Sequence, residues 1–274
     1  MDKAFEKVVI VGAGTMGLQI GQQVASYQVP VMLVDRNASL VENILLQQDS
    51  EFLDATTEFD KALSDCDLVI ESITENLHLK QNFFKNLEVH ISDTVVLTTN
   101  SSMLLPSKIG RKLEHKERFC GFHFYAPAMS ANIVDVSPIQ QTNPAVAERL
   151  CNFASQTGFE PVLIQKENRG YVYNDILDGI NSRAIGLVIK GVASIEDVDK
   201  SFRINTRAPL GPFQMMDIVG LDVVLHIVKN KARRQPKSLL AVPFLNRYVK
   251  AGKLGVKTGE GFYKYGNQDK QENP

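Results

Sequence analysis

VVIVGAGTMG, residues 8 to 17, joins an apolar, β-branched run to glycines at positions 12, 14 and 17. The branched residues predict a strand, because their stiff side chains suit a pleated surface. Glycines spaced GxGxxG between a strand and a helix make the loop of a dinucleotide-binding unit. Gly12 permits the tight turn, Gly14 lets backbone approach a pyrophosphate, and Gly17 lets helix and strand pack closely. Thr15 and Met16 stand in the same loop, where the helix start offers free amides and a positive dipole end to phosphate. Asp35 ends the next apolar run, about 20 residues on, where a carboxylate accepts the ribose hydroxyls and repels a 2′-phosphate. This predicts NAD rather than NADP, although Arg36 is a residue type that accommodates the 2′-phosphate.

Beyond this unit, strand-like runs recur at 7–12, 30–35, 68–73, 94–100, 118–124, 132–138 and 160–165, with amphipathic stretches such as MGLQIGQQVASYQ and HLKQNFFKNLEVHI between them. Strands alternating with helices predict a doubly wound, mainly parallel sheet covered on both faces. After KENRG (166–170) the strand pattern nearly stops. Apolar residues then follow at helical spacing, with Ser194 ahead of acids at 196 and 197 as a helix start. The expectation is therefore an α/β fold: a Rossmann-type domain over 1–166, an all-α domain over 167–274, and a polar tail that frays.

The 274 residues are 44% hydrophobic and 22% charged, which suits a globular protein with a sizeable core. With 30 basic against 31 acidic residues there is no positive excess for nucleic acid or anionic lipid, so neither is an expected partner. No apolar run approaches the roughly 20 residues of a spanning helix, and no basic leader with a small-residue cleavage site opens the chain, which predicts a cytoplasmic protein. Cys66, Cys120 and Cys151 are odd in number, far apart and outside any CxxC, so packed thiols are expected, not disulfides or a metal site.

Together with ESITENLHLK (71–80), TTNSS (98–102), GFHFYAP (121–127), NIVDV (132–136), APLGPFQMMDIVGLD (208–222) and GKLGVKTGEGFYKY (252–265), the glycine motif gives a sequence that resembles the L-3-hydroxyacyl-CoA dehydrogenase family over almost its whole length. The resemblance implies reversible NAD-dependent oxidation of a 3-hydroxyacyl thioester to the 3-ketoacyl thioester, and a homodimer formed through the C-terminal domain. It also implies His123 as general base, Asp135 as the carboxylate behind it, Ser101 and Asn174 as partners of the substrate oxygen, and Glu75 and Lys80 near the nicotinamide side of the cofactor. The chemistry agrees. Hydride leaves the carbinol carbon only as the hydroxyl proton is withdrawn, and imidazole suits that task near neutrality. A carboxylate behind the ring fixes its tautomer and stabilises the cation that forms.

Several positions depart from the family pattern. The family's HFFNP reads HFYAP here, with Ala126 in place of asparagine. Its Asn-Thr-Ser-Ser becomes Thr99, Asn100, Ser101 and Ser102, which makes Ser102 the competing register for Ser101. Asp135 replaces the usual glutamate, and Asp175 the arginine after the pocket asparagine. Between Asp35 and Asp67 the resemblance implies a long lysine-rich helical arm that helps to hold the CoA nucleotide. Here the stretch is short, and from 41 to 67 it sets Glu42, Asp49, Glu51, Asp54, Glu58, Asp60, Asp65 and Asp67 against Lys61. Such a surface repels phosphate. Two other readings follow: the same chemistry on an acyl-carrier-protein-bound or free hydroxy acid, and a non-catalytic NAD-binding protein. A carrier protein would need a separate basic surface such as KNKARRQPK (229–237).

Overall fold

The alternating runs of the first half come together as one eight-stranded sheet. Its strands are β1 (Val8–Val11), β2 (Val31–Val34), β3 (Leu53–Thr56), β4 (Leu68–Glu71), β5 (Val96–Thr99), β6 (Phe119–Phe124), β7 (Ile133–Pro138) and β8 (Glu160–Leu163), in the order β3-β2-β1-β4-β5-β6-β7-β8. Every neighbouring pair is parallel except β6 with β7. The structure is a computed structural model and describes residues 4–128, 131–232 and 235–266. Helices α1 (Thr15–Ser26), α2 (Ala38–Gln47), α3 (Phe59–Leu63), α4 (Leu77–Leu87), α5 (Pro106–Ile109) and α6 (Pro144–Gln156) connect the strands.

β1 shows why an unbroken apolar run was needed. Val8 and Ile10 pack into one core layer with Ile20, Leu33 and Phe122, while Val9 and Val11 pack into the other with Phe84, Leu97 and Phe119. Successive side chains point to opposite faces, so a strand covered by helices on both sides reads as a near-continuous apolar run. Asparagines 37, 76 and 143 start α2, α4 and α6, each accepting backbone N–H groups of the first turn. The strand order reverses between β1 and β4, and crevices at such switch points are where doubly wound folds hold ligands.

β3 escaped the sequence reading, which found seven strands. It lies in the acidic stretch that replaces the implied arm, so α2, β3 and α3 lead compactly from β2 to β4. Leu53 and Ala55 are buried and Asp54 between them is exposed, a period-two pattern too short to stand out among the acids. Glu42, Asp49, Glu51, Glu58, Asp60 and Asp65 are exposed as well. Asp67 differs: its carboxylate accepts the Glu6 and Lys7 amides and pairs with Arg149 at 3.1 Å, which ties the N-terminal segment to α6.

The chain divides into two units, Met1–Val172 and Tyr173–Pro274, so the division falls after Val172 and not at the expected 166. Residues 167–171 stay with the sheet because their polar groups bond there. Glu167 accepts the Ser107 amide (2.6 Å), Arg169 donates to the Met103 carbonyl (3.0 Å) and the Tyr171 hydroxyl donates to the Ser101 carbonyl (2.8 Å).

The second unit contains α7 (Tyr173–Ile189), α8 (Ile195–Thr206), α9 (Pro212–Val219), α10 (Leu221–Ala232) and α11 (Ala241–Lys250) around a core that includes Ile185, Phe213, Met216, Leu225 and Leu245. Ser194 caps α8, its hydroxyl accepting the Asp197 amide at 3.0 Å. Two buried carboxylates hold the family motifs together. Asp199 accepts the Phe213 and Gln214 amides and the Tyr263 hydroxyl, and Asp217 accepts the Phe262 and Tyr263 amides and the Tyr265 hydroxyl. A Cβ on Gly211 would stand 2.3 Å from the Asp199 side chain and one on Gly261 2.0 Å from that of Asp217, so PLGPF and GEGFY need their glycines. Burial pushes both carboxyls up, and the hydrogen bonds to their anions oppose it. Arg233, Arg234 and the tail from 267 lie outside the described residues. Among the described residues no helix is long and apolar enough to cross a membrane, and no three metal-ligating side chains cluster.

Candidate active site

The glycine loop has the shape that a dinucleotide requires. Gly12 takes φ +101°, and a Cβ there would lie 2.5 Å from the Ser72 carbonyl oxygen. A Cβ on Gly17 would come within 1.9 Å of the Gly12 carbonyl oxygen, whereas one on Gly14 meets nothing within 4 Å. Two glycines are thus fixed by packing, and the third borders open space at the start of α1. Gly14 caps that helix without a side chain, which leaves first-turn amides of Thr15, Met16 and Gly17 to an acceptor from outside. Asp35, just past β2, is held at the loop by accepting the Ala13 amide (3.0 Å) and the Asn37 amide (2.9 Å), and Arg36 is exposed. An open cradle of amides beside a fixed carboxylate fits the pyrophosphate and ribose of NAD.

Glu71, the last residue of β4, begins a second group of residues. It is fully buried and accepts bonds from the Lys80 ammonium, the Thr99 hydroxyl (2.6 Å) and the Ile73 amide (2.8 Å). Burial pushes its carboxyl up, and those three donors oppose the shift. The Lys80 ammonium, also buried, donates to the Ile73 carbonyl (3.1 Å) and lies 3.5 Å from Glu75. Glu75 in turn accepts from the Ser101 hydroxyl (2.6 Å) and the amides of Met103 (3.0 Å) and Leu104 (3.3 Å). The structure therefore sets Lys80 inside the protein beneath Glu75, and Glu75 against the loop that follows β5.

His123 and Asp135 face each other across the antiparallel β6–β7 pair, in direct register and both buried. His123 Nδ1 lies 3.4 Å from Asp135 Oδ2, and Nε2 lies 3.0 Å from the Ser102 hydroxyl. With Nδ1–H directed at the carboxylate, the Nε2 lone pair is left to take a proton. Tyr171 stacks on the imidazole at 4.5 Å and 6°, and Tyr125 meets it edge-on at 4.6 Å. The Tyr125 hydroxyl also donates to Asp135 Oδ2 at 2.5 Å.

The two serines of the loop take different places. The resemblance implied Ser101 as a partner of the substrate oxygen, with Ser102 as the competing register; the Ser101 hydroxyl is buried and bonded to Glu75, and the Ser102 hydroxyl faces His123. Ser101 N and the Leu104 amide bond to Thr99 Oγ1 and Ser101 Oγ, closing a tight turn that turns the next side chain outward. Asn100 accepts the Phe124 amide (2.9 Å) and so fastens this loop to β6. Asn174 is half-buried near the start of α7, in the second unit, and Asp175 beside it is exposed. Tyr125 and Tyr171 were not singled out from the sequence.

The family description "3-hydroxyacyl-CoA dehydrogenase, NAD binding domain" matches residues 7–52 and 46–168, two stretches that meet where the arm is short, and the C-terminal domain of the same family matches 170–265. A probable 3-hydroxyacyl-CoA dehydrogenase of Caenorhabditis elegans is 32% identical over 94% of this chain and 92% of its own length. The mitochondrial hydroxyacyl-coenzyme A dehydrogenase of Homo sapiens is 32% identical over 94% of this chain and 90% of its own. Among solved structures, a diketoreductase described by its substrate-directed dual catalysis of dicarbonyl compounds is similar with a TM-score of 0.88 at 31% identity, over 97% of this chain and 100% of the other. Glycine cradle, histidine–carboxylate pair and C-terminal motifs agree with these likenesses from one end of the sequence to the other, and the chain belongs to the 3-hydroxyacyl-CoA dehydrogenase family.

Proposed function

We propose that the protein is an NAD-dependent 3-hydroxyacyl thioester dehydrogenase with His123 as its base. The observation that carries this is the buried imidazole held between Asp135 and Ser102, with Nε2 turned to a hydroxyl. NAD, when bound, accepts the hydride from C3. His123 Nε2 takes the substrate hydroxyl proton as that hydride leaves, and Asp135 stabilises the imidazolium. Ser102 is the group within reach of the same oxygen and holds it by a hydrogen bond, in the reverse direction as a donor to the carbonyl. Asn174 is retained from the family resemblance as a second partner of that oxygen. Glu75 shapes the serine loop through the Ser101 hydroxyl and two amides.

A second reading keeps the chemistry and changes what carries the acyl group. The acidic surface of α2, β3 and α3 favours a substrate without the phosphates of CoA, such as a free dicarbonyl or hydroxy acid, or an acyl group on a carrier protein. The likeness to a diketoreductase supports the free form. NADH oxidation followed with acetoacetyl-CoA, an acetoacetyl carrier protein and ethyl acetoacetate separates the cases. Turnover of the CoA thioester at the highest kcat/KM upholds the first reading, and turnover of another substrate alone replaces it.

The exposed apolar side chains Ile176, Val192, Ile204 and Leu240 of the second unit support a homodimer formed through that unit, which sedimentation velocity tests. Three free cysteines suit a reducing compartment, and we place the protein in the cytoplasm, to be checked by cell fractionation.

A further inference from the structure

Asp135 Oδ2 serves two partners unequally. The Tyr125 hydroxyl donates to it at 2.5 Å, the length of a strong hydrogen bond to a carboxylate, whereas His123 Nδ1 stands 3.4 Å from the same atom. The register explains why. Asp135 lies directly opposite His123 on the neighbouring strand, and Tyr125, two residues beyond His123, reaches the same face with a longer side chain. The imidazole itself has little freedom, stacked on Tyr171 and met edge-on by Tyr125. What remains adjustable is where the carboxylate sits and how much of its charge reaches the ring.

We propose that Tyr125 is a positioning residue of this site: its hydroxyl fixes Asp135 and, by sharing the carboxylate's charge, sets how strongly His123 holds a proton. The inference rests on the reading of His123 as the base. A donor to Oδ2 disperses the negative charge that would otherwise stabilise the imidazolium, so the hydroxyl keeps the ring readier to give its proton back. The other groups around the ring leave Asp135 as the nearest charge. Ser102 on the loop after β5 and Tyr171 ahead of α7 are neutral, burial pushing the Tyr171 phenol well up. Glu75 lies behind Ser101, with the Lys80 ammonium 3.5 Å from it.

The test is Tyr125→Phe, which keeps the ring and removes the hydroxyl. In the NAD-loaded protein the titration of the His123 imidazole is followed by 15N NMR, and in parallel the acid limb of kcat/KM is measured for the oxidation of 3-hydroxybutyryl-CoA by NAD. Both midpoints are expected to move to higher pH, and the NMR shift is expected to vanish when the substitution is made in an Asp135→Asn background, because the effect passes through Asp135. Installing 3-fluorotyrosine in place of Tyr125, a stronger donor of the same shape, is expected to move both midpoints down and covers the case that Tyr125→Phe does not fold. Midpoints that stay put, that move the other way, or that still shift without Asp135 overturn the proposal. The NMR titration needs no substrate. Absence of turnover by the unaltered enzyme would count against the dehydrogenase reading, and the imidazole titration would still decide the role of Tyr125.

Discussion

Two buried acid–base pairs are anchored on one sheet, Glu71 at the end of β4 with Lys80 from α4, and His123 on β6 with Asp135 on β7, and they are completed differently. Glu71 and Lys80 are closed: the carboxylate has three donors, and the ammonium has the Glu71 carboxylate and a carbonyl, with Glu75 3.5 Å away. His123 and Asp135 are open: one ring nitrogen faces the carboxylate, and the other, among the described residues, faces the hydroxyl of Ser102. A closed pair holds a loop in place. An open one, on the reading proposed above, has a proton to exchange.

The comparison can be broken at either pair. His123→Ala is expected to lower kcat/KM by about a hundred- to ten-thousand-fold while NAD affinity, measured by calorimetric titration, stays unchanged; turnover near the original rate would show that the open pair is not the reacting one. Lys80→Met leaves the buried Glu71 carboxylate without its cation, so chemical denaturation is expected to show a loss of about 3–5 kcal/mol of stability. A loss confined to activity at undiminished stability would mean that Lys80 belongs to the chemistry after all.

The two serines sharpen the contrast. Ser102→Ala is expected to reduce kcat/KM by about ten- to a hundred-fold with the melting temperature unmoved. Ser101→Ala is expected to do the reverse, costing about 1–2 kcal/mol in stability through the lost bond to Glu75; equal kinetic effects at both serines would erase the distinction drawn between them. The smallest effect concerns charges that are exposed, not buried. Glu58→Lys combined with Asp60→Lys is expected to lower KM for a CoA thioester by about two- to five-fold at low salt and not at high salt, since exposed charges act weakly and are screened.

The sequence made the sheet legible wherever a strand was buried on both faces, since such a strand reads as a near-continuous apolar run. β3 was hidden because an edge strand needs only alternate apolar residues, and two of them, Leu53 and Ala55, make too little pattern among acids. The family resemblance pointed to His123 and Asp135, and strand register brings the two side chains together. Ser102 was legible only as the competing register for Ser101, and Tyr125 not at all, because their placement depends on a turn and on a contact between side chains. Periodicity records which way a residue points along a strand. It does not record what the next strand brings opposite.

The knot at Asp217 bears on the order in which the protein is made. Its carboxylate is completed only by Phe262, Tyr263 and Tyr265, so the buried polar centre of the second unit stays unfinished until translation has passed those codons. The sheet unit ends at Val172, ahead of all of these residues, and an N-terminal domain is generally the first to fold during synthesis. A ribosome stalled shortly before the GEGFYKY segment would hold the complete sequence of the cofactor domain joined to helices that still lack their last anchor.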